Sequence, residues 1–174
     1  MRFKVVIYTV CIFFIIVLQT TVLEYIRILN VKPNLPVVFI VVVAFLQGNV
    51  EGAVVGFFAG LTQDIVSGKL IGFYALLGLY LGLVVGSVNK RLYRDNLLIV
   101  VFFTFASTIL YEAIVYFIIS FNSIINGNTH FLYAIKGVIL PEAIYNSVMS
   151  VFIYLIVRRF SFKFEKLDKA SRKY

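Results

Sequence analysis

Four ionisable side chains sit inside long apolar stretches of this chain: Asp64, Glu112, Lys136 and Glu142. A charge in such surroundings is costly to keep away from water, so each is a candidate for function by default. Two carboxyls in one apolar environment suit proton exchange or general acid–base work, and a carboxylate with a lysine suits an ion-pair clamp. Asn146 follows Glu142 by four residues and shares its helix face. Two readings stay open. In one, the groups clamp helices together: Lys136 pairs with Asp64, and the glutamates are neutral or hydrogen-bonded to Tyr or Asn. In the other, they line an outward-facing polar pocket for a ligand or partner. Proton transport has less support, because no chain of acidic groups continues into the other half of the membrane.

Catalytic signatures are missing. The chain has no nucleophile elbow, no phosphate loop and no HExxH. A Glu112–Glu142 catalytic pair has nothing to specify its substrate. His130 stands alone without a second His or a Cys nearby, which suits a plain interfacial residue better than a metal ligand. Cys11 is the one cysteine, so no intramolecular disulfide forms, and its apolar run makes it a small hydrophobe. The expectation is a protein that is not an enzyme, with no cofactor and no metal.

The elements that position these groups are membrane helices. Of 174 residues, 61% are hydrophobic and 14% charged, with mean hydropathy +0.99. Soluble domains run near 45–50% and about 25%. Six apolar segments follow: 5–23, 35–47, 50–66, 70–88, 97–121 and 131–157. The first is too long for a signal-peptide core and lacks a small-residue cleavage site, so it reads as a retained span. Segments two and three are short and read as tilted spans joined by a tight inner turn, with a re-entrant pair as the alternative that the charge count disfavours. Pro141 within segment six predicts a kink, with the carbonyl near Gly137 losing its bond. The fold class expected is an all-α integral membrane bundle of six transmembrane helices, forming a single membrane domain over 1–174.

Charge sets the orientation. With both termini inside, twelve basic residues lie on the inner side: Arg2 and Lys4, then Lys90, Arg91 and Arg94, then seven from Arg158 onward. Only Arg27, Lys32 and Lys69 lie outside. That bias matches the positive-inside rule and accounts for the net charge of +8 without nucleic acid. The basic tail 158–174 reads as a cytoplasmic anchor at anionic lipid, or as a docking segment for a cytoplasmic partner. On this topology Asp64 lies near the outer end of its segment. Glu112 and Glu142 fall about 13 Å and about 16 Å from the outer ends of theirs, at 1.5 Å per residue. Lys136 is nearer the surface. All four belong to the outer half.

Nine of the eleven glycines fall between Gly48 and Gly86. Gly52, Gly56 and Gly60 form one four-residue ladder, and Gly78, Gly82 and Gly86 another. Small residues at this spacing let membrane helices approach closely. Packing within the bundle is the first expectation and a homodimer or partner face the second. Between the ladders lies a polar break from Gln63 to Gly68.

The stretch from Val31 to Pro36, then Gly48 to Gly68, then Ile71 to Leu76, resembles the MreD family of rod-shape-determining membrane proteins. So does Leu140-Pro141-Glu142-Ala143-Ile144-Tyr145-Asn146, closing with Arg158-Arg159. Many members have proline where this chain has Leu70. The family's motif falls on Asp64, Gly68 and Gly72, and on Pro141, Glu142 and Asn146. The resemblance implies a fold like the substrate-binding components of energy-coupling-factor transporters. It also implies a scaffold in the bacterial cytoplasmic membrane beside an MreC-like protein, MreB, RodA and a class B penicillin-binding transpeptidase, helping to position peptidoglycan synthases. The alternative is a small-solute-binding component of an energy-coupling-factor-type transporter.

Overall fold

The computed structural model describes residues 2–27, 30–68, 71–88, 96–125 and 135–171, with side chains described from residue 4 to 119 and from 135 to 161 of that set. His130, Lys69, Leu70, Lys90, Arg91 and Arg94 lie outside the described residues, as do the side chains of the tail beyond Ser161. Helices account for nearly everything described: α1 Arg2–Thr20, α2 Val22–Tyr25, α3 Leu35–Gln47, α4 Asn49–Ser67, α5 Phe73–Ser87, α6 Leu97–Ile125 and α7 Leu140–Ser171. α2 continues the line of α1 after a single turn residue, so six helical columns result, as the six apolar segments predict. By length and composition, Lys4–Tyr25, Leu97–Ile119 and Ile135–Ser161 can each cross a membrane. α3 and α5 are shorter and equally apolar.

α3 is the axis of the molecule. Every residue from Leu35 to Leu46 is buried, and Val37 to Ala44 are 0–2% exposed. It packs on α1, α4, α5, α6 and α7. A helix apolar on all sides belongs in the middle of a bundle. Its Val-rich sequence has modest helix propensity in water. Away from water, unpaired amides and carbonyls find partners only within the helix itself, and that requirement dominates. At 13 residues α3 is about 20 Å long, too short to cross a bilayer core of about 30 Å on its own. Protein wraps it instead of lipid.

The boundaries of α3 follow local chemistry. Asn34 is the N-cap, its side-chain oxygen accepting from the Val37 amide at 3.4 Å, and Pro36 occupies the first turn where its missing amide costs nothing. Gly48 ends the helix at φ 103°, a conformation open to glycine, and its amide reaches Ala44 O at 2.9 Å. α4 starts at the next residue, so the two short segments are helices joined by one glycine.

The final column departs from a simple kink. Residues Ile135–Ile139 form a π-helical turn that runs into α7. Pro141 has no amide for the carbonyl four residues back. A π register lets a carbonyl bond five residues on instead, which carries the helix past the proline without a break. Beyond Arg159, where the sequence suggests a tail, the backbone stays helical to Ser171.

Candidate functional site

The two sequence motifs resolve into two helix-capping devices. The first closes the turn between α4 and α5. Asp64 is completely buried, in the last turn of α4. Its Oδ2 accepts from the amides of Gly72 and Ala75, both at 3.0 Å, and its Oδ1 from Tyr74 N at 2.9 Å. The first amides of a helix have no partner inside it, and the end carries partial positive charge. One carboxylate therefore satisfies three orphan donors and meets a favourable field. Two glycines make the approach feasible. Gly68 terminates α4 at φ 62° with its amide on Asp64 O, and Gly72 opens α5 at φ 95°.

The second device surrounds the start of α3. Asn34 is its hub. The Asn34 amide donates to Asn146 Oδ1 at 2.7 Å, and Asn34 Nδ2 donates to Glu112 Oε1 at 3.0 Å. Asn146 Nδ2 donates to Thr108 Oγ1 at 3.2 Å. Glu112 and Glu142 lie beside each other in this cluster. A carboxylate is only an acceptor, so a hydrogen bond between them requires a proton on one of the two. Gln19 of α1 completes the ring: its Nε2 donates to Pro33 O at 2.9 Å and its Oε1 accepts from Leu35 N at 3.0 Å. Four columns, from α1, α3, α6 and α7, thus meet at one polar cluster. Glu112 and Glu142 are 6% and 7% exposed, and Asn146 and Thr108 are 0%.

The four ionisable groups do not all converge. Glu112 and Glu142 meet, with Asn146 beside them. Asp64 caps α5 instead, with Tyr74 and Tyr111 near both it and Glu112. Lys136 is exposed on the π turn, with no hydrogen bond or ion pair among the described residues. The Lys136–Asp64 pair expected of a clamp does not form: Asp64 is fully buried on three backbone amides, and Lys136 is exposed. No group of three or more His, Cys, Asp or Glu suited to a metal ion occurs among the described residues.

The glycine ladders lie face to face between α4 and α5, which run antiparallel. Gly52 abuts Gly82, Gly56 abuts Gly78, Gly60 abuts the Tyr74 carbonyl, and Gly86 abuts Asn49. At Gly56, Gly60, Gly78, Gly82 and Gly86 a methyl group would run into opposing backbone, and at Gly52 into Ala44 of α3. α4 and α5 form the most intimate helix pair in the molecule, and the Asp64 cap ties its end.

Some participants are not conspicuous in the sequence. Asn34 stands just before Leu35-Pro36, a helix-start signal. Gln19 and Thr108 are polar residues in apolar runs. At the opposite end of the bundle, Glu51 in the first turn of α4 accepts from Lys4 Nζ and Tyr8 Oη of α1, both at 2.9 Å. Gln47 Nε2 donates to Ser161 Oγ at 2.7 Å.

Residues 1–164 match the profile of rod shape-determining protein MreD. The chain belongs to the MreD family. No curated protein and no solved structure matches it. In this MreD chain, the Gln63-Asp64 to Gly72 element is a turn closed by a buried carboxylate. The Pro141-Glu142 to Asn146 element begins where the π turn ends and reaches the head of α3. The match reaches into every helix and stops within α7, so it covers the bundle rather than one segment of it.

Proposed function

We propose that the chain is a non-catalytic scaffold of the cell-elongation machinery. It sits in the bacterial cytoplasmic membrane with six passes and both termini inside, binds an MreC-like bitopic partner, and helps position peptidoglycan synthases such as RodA and a class B penicillin-binding transpeptidase near MreB. Family membership across residues 1–164 is the observation that carries this reading. The chemistry agrees with it. The buried polar groups are spent on holding helices together: Asp64 on α5, and Glu112, Glu142, Asn34 and Asn146 on one another and on α3. Depleting the protein from a rod-shaped cell is expected to give round cells, and purification in mild detergent is expected to bring down an MreC-like protein. Recovery of this chain alone would overturn the scaffold.

The competing reading is a solute-binding component with an energy-coupling-factor-type fold. It requires the polar cluster to open to a solute, and the groups it would use are nearly inaccessible and bonded among themselves. Saturable solute binding lost in Glu142→Ala would favour it. Rescue of shape by Asp64→Asn with no solute bound would leave it without support.

A further inference from the structure

The outward face of α6 and α7 carries a feature that neither the caps nor the glycine interface explains. A groove of about 500 Å³ runs between the two helices. Leu98, Phe102 and Phe105 form one wall, and Ile144, Val148 and Val151 the other. The α7 wall climbs by steps of four and three residues, the stripe of a single helix face. The next step on that stripe is Leu155, and the one after reaches Arg158 and Arg159. Leu155 and both arginines line a second cavity of about 460 Å³. From Ile144 to Arg159 the stripe extends about 22 Å. An apolar stripe on α7 the length of a fatty acyl chain, grooved against α6 over its first half, therefore ends at two arginines.

The two arginines are set differently. The Arg158 guanidinium lies over the Tyr154 ring, 5.7 Å from its centroid, which holds a half-buried side chain in place. Arg159 is exposed beside it. Guanidinium groups match phosphate oxygens in a bidentate fork and are weakly hydrated, so they suit a phosphate at a membrane surface better than lysine does. Basic pockets at the cytoplasmic ends of membrane helices select anionic headgroups.

We propose that this groove seats one anionic glycerophospholipid, with an acyl chain along the α6–α7 trough and its phosphate on Arg158 and Arg159. The lipid then covers the outer edge of the α6–α7 seam, directly behind the helices that carry Glu112, Glu142 and Asn146.

Native mass spectrometry of the full chain in detergent, titrated with phosphatidylglycerol or phosphatidylcholine, tests it. One phosphatidylglycerol is expected to stay bound at concentrations where phosphatidylcholine does not. Arg158→Gln/Arg159→Gln is expected to weaken phosphatidylglycerol roughly thirtyfold, at the usual value of a basic residue near anionic lipid. If the double variant fails to insert, Arg159→Gln alone, which leaves Arg158 on its ring, is expected to weaken it roughly fivefold. Val148→Trp fills the trough at an exposed position, keeps both arginines, and is expected to abolish retention. Equal retention of the two lipids overturns the proposal, as does an undiminished preference in the arginine variants. Unchanged retention in Val148→Trp reduces the contact to surface charge and overturns the groove. Displacement of the lipid by glycerol phosphate at equal concentration identifies a free-phosphate site and overturns it too.

Discussion

Asp64 is a charged residue made structural by what it touches. It is buried with three amides pointed at it, and the alternative for those amides is no partner at all. Leaving buried donors unsatisfied costs about 1–3 kcal/mol each, with partial relief as neighbours shift. Asp64→Ala is therefore expected to lower stability by about 3 kcal/mol or more, read as loss of the thermal transition in detergent. Asp64→Asn keeps one acceptor oxygen and is expected to fall between the two. Glu142 sets a contrast. Glutamine has the donor that a protonated carboxyl supplies to Glu112, so Glu142→Gln is expected to stay within about 1 kcal/mol of the parent while Glu142→Ala does not. A similar loss from Gln and Ala would show that the carboxyl itself is required. Composition and spacing single out these carboxyls, because each is an ionisable group in an apolar run. They do not reveal what each bonds to. The partner of Asp64 is a set of backbone amides, which have no letter in the sequence, and that is why a lysine 72 residues away looks like the better candidate. Asn34 is legible as a helix start; its role as the hub of Glu112, Asn146 and α3 depends on tertiary contacts over 78 and 112 residues.

The α4–α5 pair shows the same physics one level up. Helices without a hydrophobic driving force between them associate through close packing, and glycine allows backbone to meet backbone. Because a single methyl on Gly56 or Gly78 meets a peptide carbonyl rather than a movable side chain, even alanine is expected to be damaging there. Gly56→Ala is expected to cost about 2 kcal/mol or more, by overpacking, and Gly56→Ile to prevent folding. Gly137 has nothing within reach of an added methyl, so Gly137→Ala is expected to fold normally. A thermal-melting series over the three variants checks the ranking, and equal tolerance at Gly56 and Gly137 would refute it. The four-residue ladders are visible in the sequence since spacing alone sets which residues share a face. The centrality of α3 is less so. An apolar run looks the same whether protein or lipid surrounds it, and only its 13-residue length hints that it never faces the bilayer alone.

For the molecule as a whole, polar contacts divide between two ends. Lys4, Tyr8, Glu51, Gln47 and Ser161 gather at one, and Gln19, Asn34, Asp64, Glu112 and Glu142 at the other. α1 is fastened at both ends by such contacts, Gln19 at one and Lys4 with Tyr8 at the other, yet only 6% of its most apolar window is buried. It lies at the bundle's edge and sends Ile12 into the core. On the proposed orientation, reporter domains fused to either terminus are expected to be cytoplasmic. A cysteine at Ile71, 87% exposed in the α4–α5 turn, is expected to react with a membrane-impermeant maleimide from outside, in a chain whose Cys11 is replaced by alanine. Labelling of Ile71→Cys only after lysis would reverse the topology.

The cap on α3 also has a history in time. Synthesis delivers α3 early, but Thr108, Glu112, Glu142 and Asn146 arrive only with the last two columns. A chain halted before residue 146 holds its central helix in the membrane with the Asn34 amide lacking its Asn146 acceptor. Only the finished chain supplies that helix end with its Asn146 acceptor, so the central helix is capped last, after the rest of the bundle has been made.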